Sequence, residues 1–229
     1  MLSAEMEDYL KAIYQLAREE EGPVSTSRIA DALDVTPPTA TSMMEKLEDR
    51  GLVDREKYKG VVLTEEGETV ALEVIRHHRL IETYLSEKLG FDWAAVHDEA
   101  DRLEHHISEE FERRVAAALD DPEVDPHGDP IPSDALEPIE DGPETTLAAC
   151  AEGETVVVHR VRDRDPEELT YLDDAGVTPG TELEITEVAP IGMVRVRAAD
   201  GAELSIPDGV AESIFVGPVE ERDGAVETV

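Results

Sequence analysis

Between Asp120 and Thr145 the chain reads DDPEVDPHGDPIPSDALEPIEDGPET, six prolines in 26 residues. Each proline fixes φ and removes a backbone donor, so no regular helix or long strand survives that density. The stretch predicts an extended, semi-rigid connector over residues 121–146. It parts a segment of helical periodicity from one of strand alternation. The expected fold is a mostly α N-terminal part with a C-terminal small β barrel. The expected borders are 1–70 and 71–120 for two N-terminal domains, 147–218 for the barrel and 219–229 for an acidic tail.

Charge narrows the function classes. Against 56 Asp and Glu stand 20 Lys and Arg, a formal net charge of −36. That excludes a protein that binds nucleic acid through bulk basic charge. The excess is uneven: residues 117–229 hold 29 acids and 6 bases, net −23, whereas residues 26–63 hold 7 and 6, net −1. A polyanion can be tolerated only at that near-neutral window. The bases are 15 Arg and 5 Lys. High acidity with little lysine reads as a surface adapted to concentrated salt, a halophilic composition. One cysteine, Cys150, forbids an internal disulfide framework. No apolar run reaches the roughly 18–20 residues of a membrane span, and no signal-peptide pattern opens the chain. A cytoplasmic protein is expected, with no membrane and no small-molecule substrate among its partners.

The near-neutral window has a recognisable grammar. Residues 5–19 set Met6, Tyr9, Leu10, Ile13, Leu16 and Ala17 on one helical stripe, and Gly22-Pro23 stops it. Ser25 or Thr26 caps a short helix with Ile29, Ala30 and Leu33 inward. Asp34-Val35-Thr36 leaves room for a tight turn only. Thr36 is the predicted N-cap of a second helix, with Pro37 at its first position, ending at Gly51. LVDREKYKGVVLT then reads as two strands about Tyr58-Lys59-Gly60. This is a winged helix-turn-helix, whose second helix enters the major groove. The residues placed for DNA are Thr26, Ser27, Thr36, Pro38, Thr39, Thr41 and Ser42, with Lys57 and Lys59 on the wing for phosphates. A protein–protein role of the same module is the alternative.

Five of the seven histidines fall between positions 77 and 106. In a helix predicted to run from Trp93 to Ile107, His97, Asp101, Glu104 and His105 share one face, at i, i+4, i+7 and i+8. His78 and Glu82 stand i, i+4 on the helix before it, and the first helix offers Asp8. Imidazoles and carboxylates on one face bury badly unless they bind a cation; the plain alternative is a solvated acidic face. Val74, Ile81, Leu85, Leu89, Trp93, Val96, Leu103 and Ile107 are expected to pack these helices and a dimer partner. Beyond the connector, ETVVVHRV, ELEITEV, MVRVRA and ELSIP alternate as strands, and PEELTYLDDAG is a short helix closed by Gly176.

Together these motifs resemble the diphtheria toxin repressor family of metal-dependent transcriptional regulators, including its manganese-sensing branch. The resemblance rests on MEDYLKAIYQL, RIADALDVTPPTATSMMEKLEDRGLV, KYKGVVLTEEG, RHHRLIETYL, VHDEADRLEHHISEEFERR and HGDPIP, and so spans nearly the whole chain. It implies a homodimer that binds a palindromic double-stranded DNA operator when loaded with metal. It implies a primary metal site at Asp8, Asp101, Glu104 and His105, and a second at His78, Glu82 and His97. It implies a winged helix-turn-helix domain over 1–70 and a helical metal-binding and dimerisation domain over 71–120. The barrel over 147–218 resembles the SH3-like domain of larger members, in which Asp165 and Glu168, at the start of the short helix, match positions that complete the second site. Carboxylates at positions 8 and 101 favour Mn²⁺, with Fe²⁺ open. Lys11 stands where manganese sensors carry another acidic ligand, which bears on the number of ions. Two other readings follow from the residues: a constitutive winged-helix DNA-binding protein, and a metallohydrolase, which would need a nucleophile or phosphate loop that the chain does not display.

Overall fold

The computed structural model describes residues 2–20, 22–56, 59–139, 145–162, 165–190 and 192–219. Among them no helix is long and apolar enough to cross a membrane. The chain forms two compact units, each discontinuous in sequence. The first comprises Met1–Tyr84, Asp98–Glu123 and Ile131–Ile139; the second comprises Leu85–His97, Val124–Pro130 and Glu140–Val229.

The first unit opens with α1 (Ala4–Glu20), α2 (Thr26–Ala32) and α3 (Pro37–Glu48). Ser25 caps α2, its hydroxyl accepting from Arg28 N at 3.3 Å. Thr36 caps α3, accepting from Thr39 N, with prolines in the first turn where no donor is missed. Between them Asp34 takes a φ of 49°, a left-handed turn that Asp tolerates. Strands β1 (Val53–Glu56) and β2 (Gly60–Leu63) pair antiparallel, from Val53 opposite Leu63 to Glu56 opposite Gly60. Val24 bridges to Val61 on the other side of β2. Gly60 is required there, because a Cβ would stand 2.3 Å from the Val24 carbonyl oxygen. Leu10, Ile13, Ile29, Met44, Leu47, Leu72 and Ile75 fill one core. Each fully buried Leu or Ile is worth about 1.5–3 kcal/mol.

Helix α4 (Glu65–Leu89) starts from that core. The Thr64 hydroxyl donates to Gly51 O at 2.8 Å and accepts from Gly67 N at 3.1 Å. It ties the end of α3 to the first turn of α4. Helices α5 (Val96–Leu103) and α6 (Glu109–Ala118) follow. The helix predicted from Trp93 to Ile107 is shorter than expected at both ends. Asp92 turns its carboxylate onto Ala94 N, and after Leu103 the backbone tightens into a 3₁₀ turn, Glu104–His106. Val115 and Ala116 of α6, with Leu119 just after it, pack on Leu80 of α4. The buried Arg76 guanidinium holds Glu112 of α6, the Pro132 carbonyl and the Asp134 carboxylate.

In the second unit β3 (Thr155–Val161), β4 (Glu182–Ala189), β5 (Met193–Ala198), β6 (Glu203–Pro207) and β7 (Ile214–Pro218) form one antiparallel sheet, ordered β6-β5-β4-β3-β7. Helices α7 (Pro166–Asp174) and α8 (Asp208–Ala211) accompany it, and the Val, Leu and Ile of alternate positions form its core. Strand β7 escapes an alternation search because four of its five residues are buried in succession. The proline-rich stretch is more than a connector over Val124–Pro130. Asp125 Oδ1 accepts from His127 N and Asp129 N, both at 2.9 Å, and closes a turn. The Pro126 carbonyl accepts from Trp93 Nε1 at 2.8 Å. Prolines forbid helix there, but their carbonyls remain acceptors.

The tight approach of α4 to the chain after α3 is testable. A Cβ on Gly67 would lie 1.9 Å from Leu52 O. Gly67→Ala should lose about 1–3 kcal/mol of stability by overpacking, read as a lower urea midpoint with unchanged slope. Gly209→Ala, where nothing lies within 4 Å, should stay within about 0.5 kcal/mol of wild type.

Candidate metal centre

Helix α1 presents two faces. Leu10 and Ile13 enter the core, while Glu7, Asp8 and Lys11, one turn apart, look toward the chain from α4 to the 3₁₀ turn. His105 Nε2 lies 2.8 Å from Asp8 Oδ1 and 3.3 Å from Glu104 Oε1. One donor atom each from Asp8, Glu104 and His105 lies within 4.8 Å of the others. Two carboxylates and an imidazole that converge this closely suit Mn²⁺ or Fe²⁺. Asp8 is half-buried and Glu104 is 2% exposed, so their like charges are poorly solvated.

Asp101, which the family resemblance implies as a fourth ligand of this group, faces Lys11 and His78. Its Oδ1 lies 3.1 Å from Lys11 Nζ and 3.2 Å from His78 Nδ1. The reason is the helix end at Leu103: the 3₁₀ turn breaks the i, i+4, i+7, i+8 stripe and aims His105 at α1. Lys11 Nζ also donates to Glu104 Oε2 at 2.8 Å and sits 3.1 Å from His78 Nδ1. His78 Nε2 is 3.0 Å from Glu82 Oε1, and Glu82 is fully buried. His97 stands one turn before Asp101 on α5.

The other predicted residues separate by role. Asp165 caps α7, accepting from the backbone N of Glu167 and Glu168 at 2.9 and 3.3 Å. Among the described residues of the second unit no cluster of three potential ligands forms around Asp165 or Glu168. For DNA, Thr36, Pro38, Thr39 and Ser42 are exposed along the start of α3, Ser27 is exposed on α2 and Thr26 is half-buried. The Thr41 hydroxyl instead donates to Pro37 O at 2.9 Å. Lys59 is exposed at the wing; Lys57 and Tyr58 lie outside the described residues.

This pairing of a winged helix-turn-helix with a His–carboxylate centre has close relatives. Residues 1–61 match the family "Iron dependent repressor, N-terminal DNA binding domain". Residues 64–133 match "Iron dependent repressor, metal binding and dimerisation domain", and residues 145–218 match the FeoA domain. The diphtheria toxin repressor of Corynebacterium glutamicum is 35% identical over 224 residues, covering 93% of this chain and 96% of the relative. The iron-dependent repressor IdeR of Mycobacterium bovis is 33% identical over 226 residues, covering 93% and 96%. The chain belongs to the iron-dependent repressor family. A solved manganese-dependent transcriptional repressor in complex with manganese superposes with a TM-score of 0.85 at 36% identity, covering 93% of this chain and all of that one. T. acidophilum IdeR superposes with a TM-score of 0.76 at 27% identity, covering 96% and 100%. The family is one of transcriptional regulators, not enzymes, which closes the metallohydrolase reading.

In this repressor-family chain sequence reasoning missed Glu7. Its Oε2 lies 2.7 Å from His105 Nδ1, a carboxylate that orients the ring and leaves Nε2 to face Asp8. No spacing signals it; it is one more acid beside Asp8 in an acidic helix. Asp125 and His127, a buried carboxylate and a buried imidazole in the proline-rich turn, were likewise passed over as connector.

Electrostatics divide the centre. Burial lifts the Asp8 carboxyl above its ordinary value, and His105 offsets only part of that. Burial also opposes the charge of Glu104, but His78 and Lys11 hold it below its ordinary 4.5. Burial works against Lys11 too, yet Glu104 and Asp101 raise its pKa. Burial and Lys11 oppose a charged His78, but Glu82 and the hydrogen bonds to Asp101 and Glu104 raise it well above 6.5. Raised means that the metal-free protein gains stability from protonated His78 below about pH 6.5 and loses it as the pH climbs through the raised value. In chelator, the thermal midpoint of wild type should therefore fall over that alkaline range, and fall less in His78→Gln. Glu104 acts oppositely: its contribution is present above 4.5 and lost as the pH drops through its lowered value.

Proposed function

We propose that this chain is a metal-activated repressor that holds Mn²⁺ or Fe²⁺ at Asp8, Glu104 and His105, and binds a palindromic double-stranded operator as a homodimer in the cytoplasm. The observation that carries the reading is the convergence of those three donors from α1 and the turn after α5. Asp8 is on the helix whose other face packs α2 and α3 through Leu10 and Ile13. A divalent ion at this place would supply the positive charge that offsets the repulsion between Asp8 and Glu104.

The chain's own residues do the rest. Glu7 holds His105 at Nδ1, so Nε2 stays turned toward Asp8. Drawing Asp8 to the 3₁₀ turn fixes α1, and with it α2 and α3, against α4. Thr64 joins the chain leaving α3 to the first turn of α4, so the recognition helix is also held at its C-terminal end. Thr36, Pro38, Thr39 and Ser42 then offer hydroxyls and apolar edges to bases, with Thr26, Ser27, Lys57 and Lys59 for the backbone. The Thr41 hydroxyl, turned onto its own helix, is the weakest of the assigned contacts. Two copies related by a two-fold axis match a palindrome. Leu103 and Phe111, exposed on α5 and α6 at 37% and 47%, are apolar surface for such a partner. The constitutive alternative makes operator binding independent of metal.

Operator binding by fluorescence anisotropy decides between them. Mn²⁺ or Fe²⁺ should tighten binding about 5–150-fold over chelator, the usual span of such coupling. Asp8→Ala should lose that gain while retaining the weak metal-free binding. Equal affinity with and without chelator sinks the sensing role.

A further inference from the structure

Lys11 is a feature that the repressor reading does not use. Its ammonium is largely buried, with a side chain 13% exposed. Three cation-binding atoms meet at it: Glu104 Oε2 at 2.8 Å, Asp101 Oδ1 at 3.1 Å and His78 Nδ1 at 3.1 Å. Two carboxylate oxygens and an imidazole nitrogen form the same donor chemistry as Asp8, Glu104 and His105. Glu104 is common to both sets and divides between them. Its Oε1 is the atom near His105, whereas its Oε2 faces Lys11 and His78.

We propose that the Lys11 ammonium is a built-in cation of this centre: it occupies a second cation position among Asp101, Glu104 and His78, so the centre takes up one divalent ion, at Asp8, Glu104 and His105, and not a close pair. The proposal rests on the metal-binding reading above and specifies its stoichiometry. The tethered charge does two things. It blocks a second ion by volume and by repulsion, because the donor atoms that ion would need already surround the ammonium at hydrogen-bond distance. It also keeps Asp101 and Glu104 in place before metal arrives, so that the remaining position is formed in advance. Asp101, which the family resemblance implies as a metal ligand, is by this proposal a partner of Lys11.

The test is a Mn²⁺ titration of the full-length protein by calorimetry, with electron paramagnetic resonance on the loaded samples. Wild type should show only isolated Mn²⁺ signals from this centre. Asp8→Ala should lose one ion per chain. Lys11→Glu, which removes the ammonium and adds a carboxylate, should gain one ion per chain and show the spin coupling of two neighbouring Mn²⁺ ions. Lys11→Arg keeps the charge and should leave the count as in wild type, and circular dichroism establishes that each variant is folded. Spin-coupled Mn²⁺ in wild type, or an unchanged count in folded Lys11→Glu while Asp8→Ala loses its ion, overturns the role of Lys11 alone. An unchanged count in folded Asp8→Ala overturns both this proposal and the metal-binding reading beneath it.

Discussion

Glu104 carries the charge that the first unit is arranged around. It is almost entirely buried, and a buried carboxylate is tolerated only when cations and donors surround it. Lys11 from α1 and His78 from α4 meet Oε2, His105 meets Oε1, and the Glu104 backbone carbonyl lies 3.2 Å from His77 Nδ1. Three segments distant in sequence are therefore joined at one residue. Lys11 and His78 face one carboxylate oxygen, and the other faces the half-buried, less well compensated Asp8. The centre is a balanced half beside an anionic half, and only the anionic half calls for an added cation.

That asymmetry explains how an event at one end of α1 can matter at α3. The helix is a lever with chemistry on one face and packing on the other. Leu10 and Ile13 sit in the same core as Ile29 of α2 and Met44 and Leu47 of α3. A core at protein packing density does not deform continuously, so α1 carries α2 and α3 with it. Thr64 provides the second tie, from the chain leaving α3 to the chain entering α4. Coupling of this kind is a difference in affinity between two arrangements.

Much of this was legible in the chain itself, for identifiable reasons. The caps at Ser25 and Thr36 are local chemistry, read from two or three neighbouring residues, and the structure places both as expected. The stripe on α1 is periodic over its whole length and could be read the same way. Residue types at the metal centre were legible, but the helix end that aims His105 at α1 was not. The i, i+4, i+7, i+8 pattern assumes that one α-helix continues, and no proline or glycine announces its tightening at Glu104. Glu7 was hidden for another reason. Its role depends on which face of α1 meets a segment roughly a hundred residues away, and composition carries no information about that. The turn at Asp125 was obscured by the prolines around it, which signal the absence of helix and strand but not the presence of a hydrogen-bonded loop.

The distribution of acid gains a meaning from the same arrangement. At an ionic strength of 1 M the Debye length is about 3 Å, so exposed charges in such salt lose most of their reach. Counterion release gives correspondingly little DNA affinity there. In the proposed DNA contact the near-neutral window 26–63, with its exposed Thr36, Thr39 and Ser42, would supply contacts that depend less on salt than phosphate pairing does. Charges at the centre are separated by hydrogen-bond distances and partly shielded from solvent ions. They keep their interaction where surface pairs such as Arg197 with Glu184 do not. A chain with a net charge of −36 can thus spend most of its acids on solvation. Among the acids of the proposed metal centre Glu104 is almost entirely buried, so salt screens it least, and by the proposal above Lys11 limits that centre to one ion.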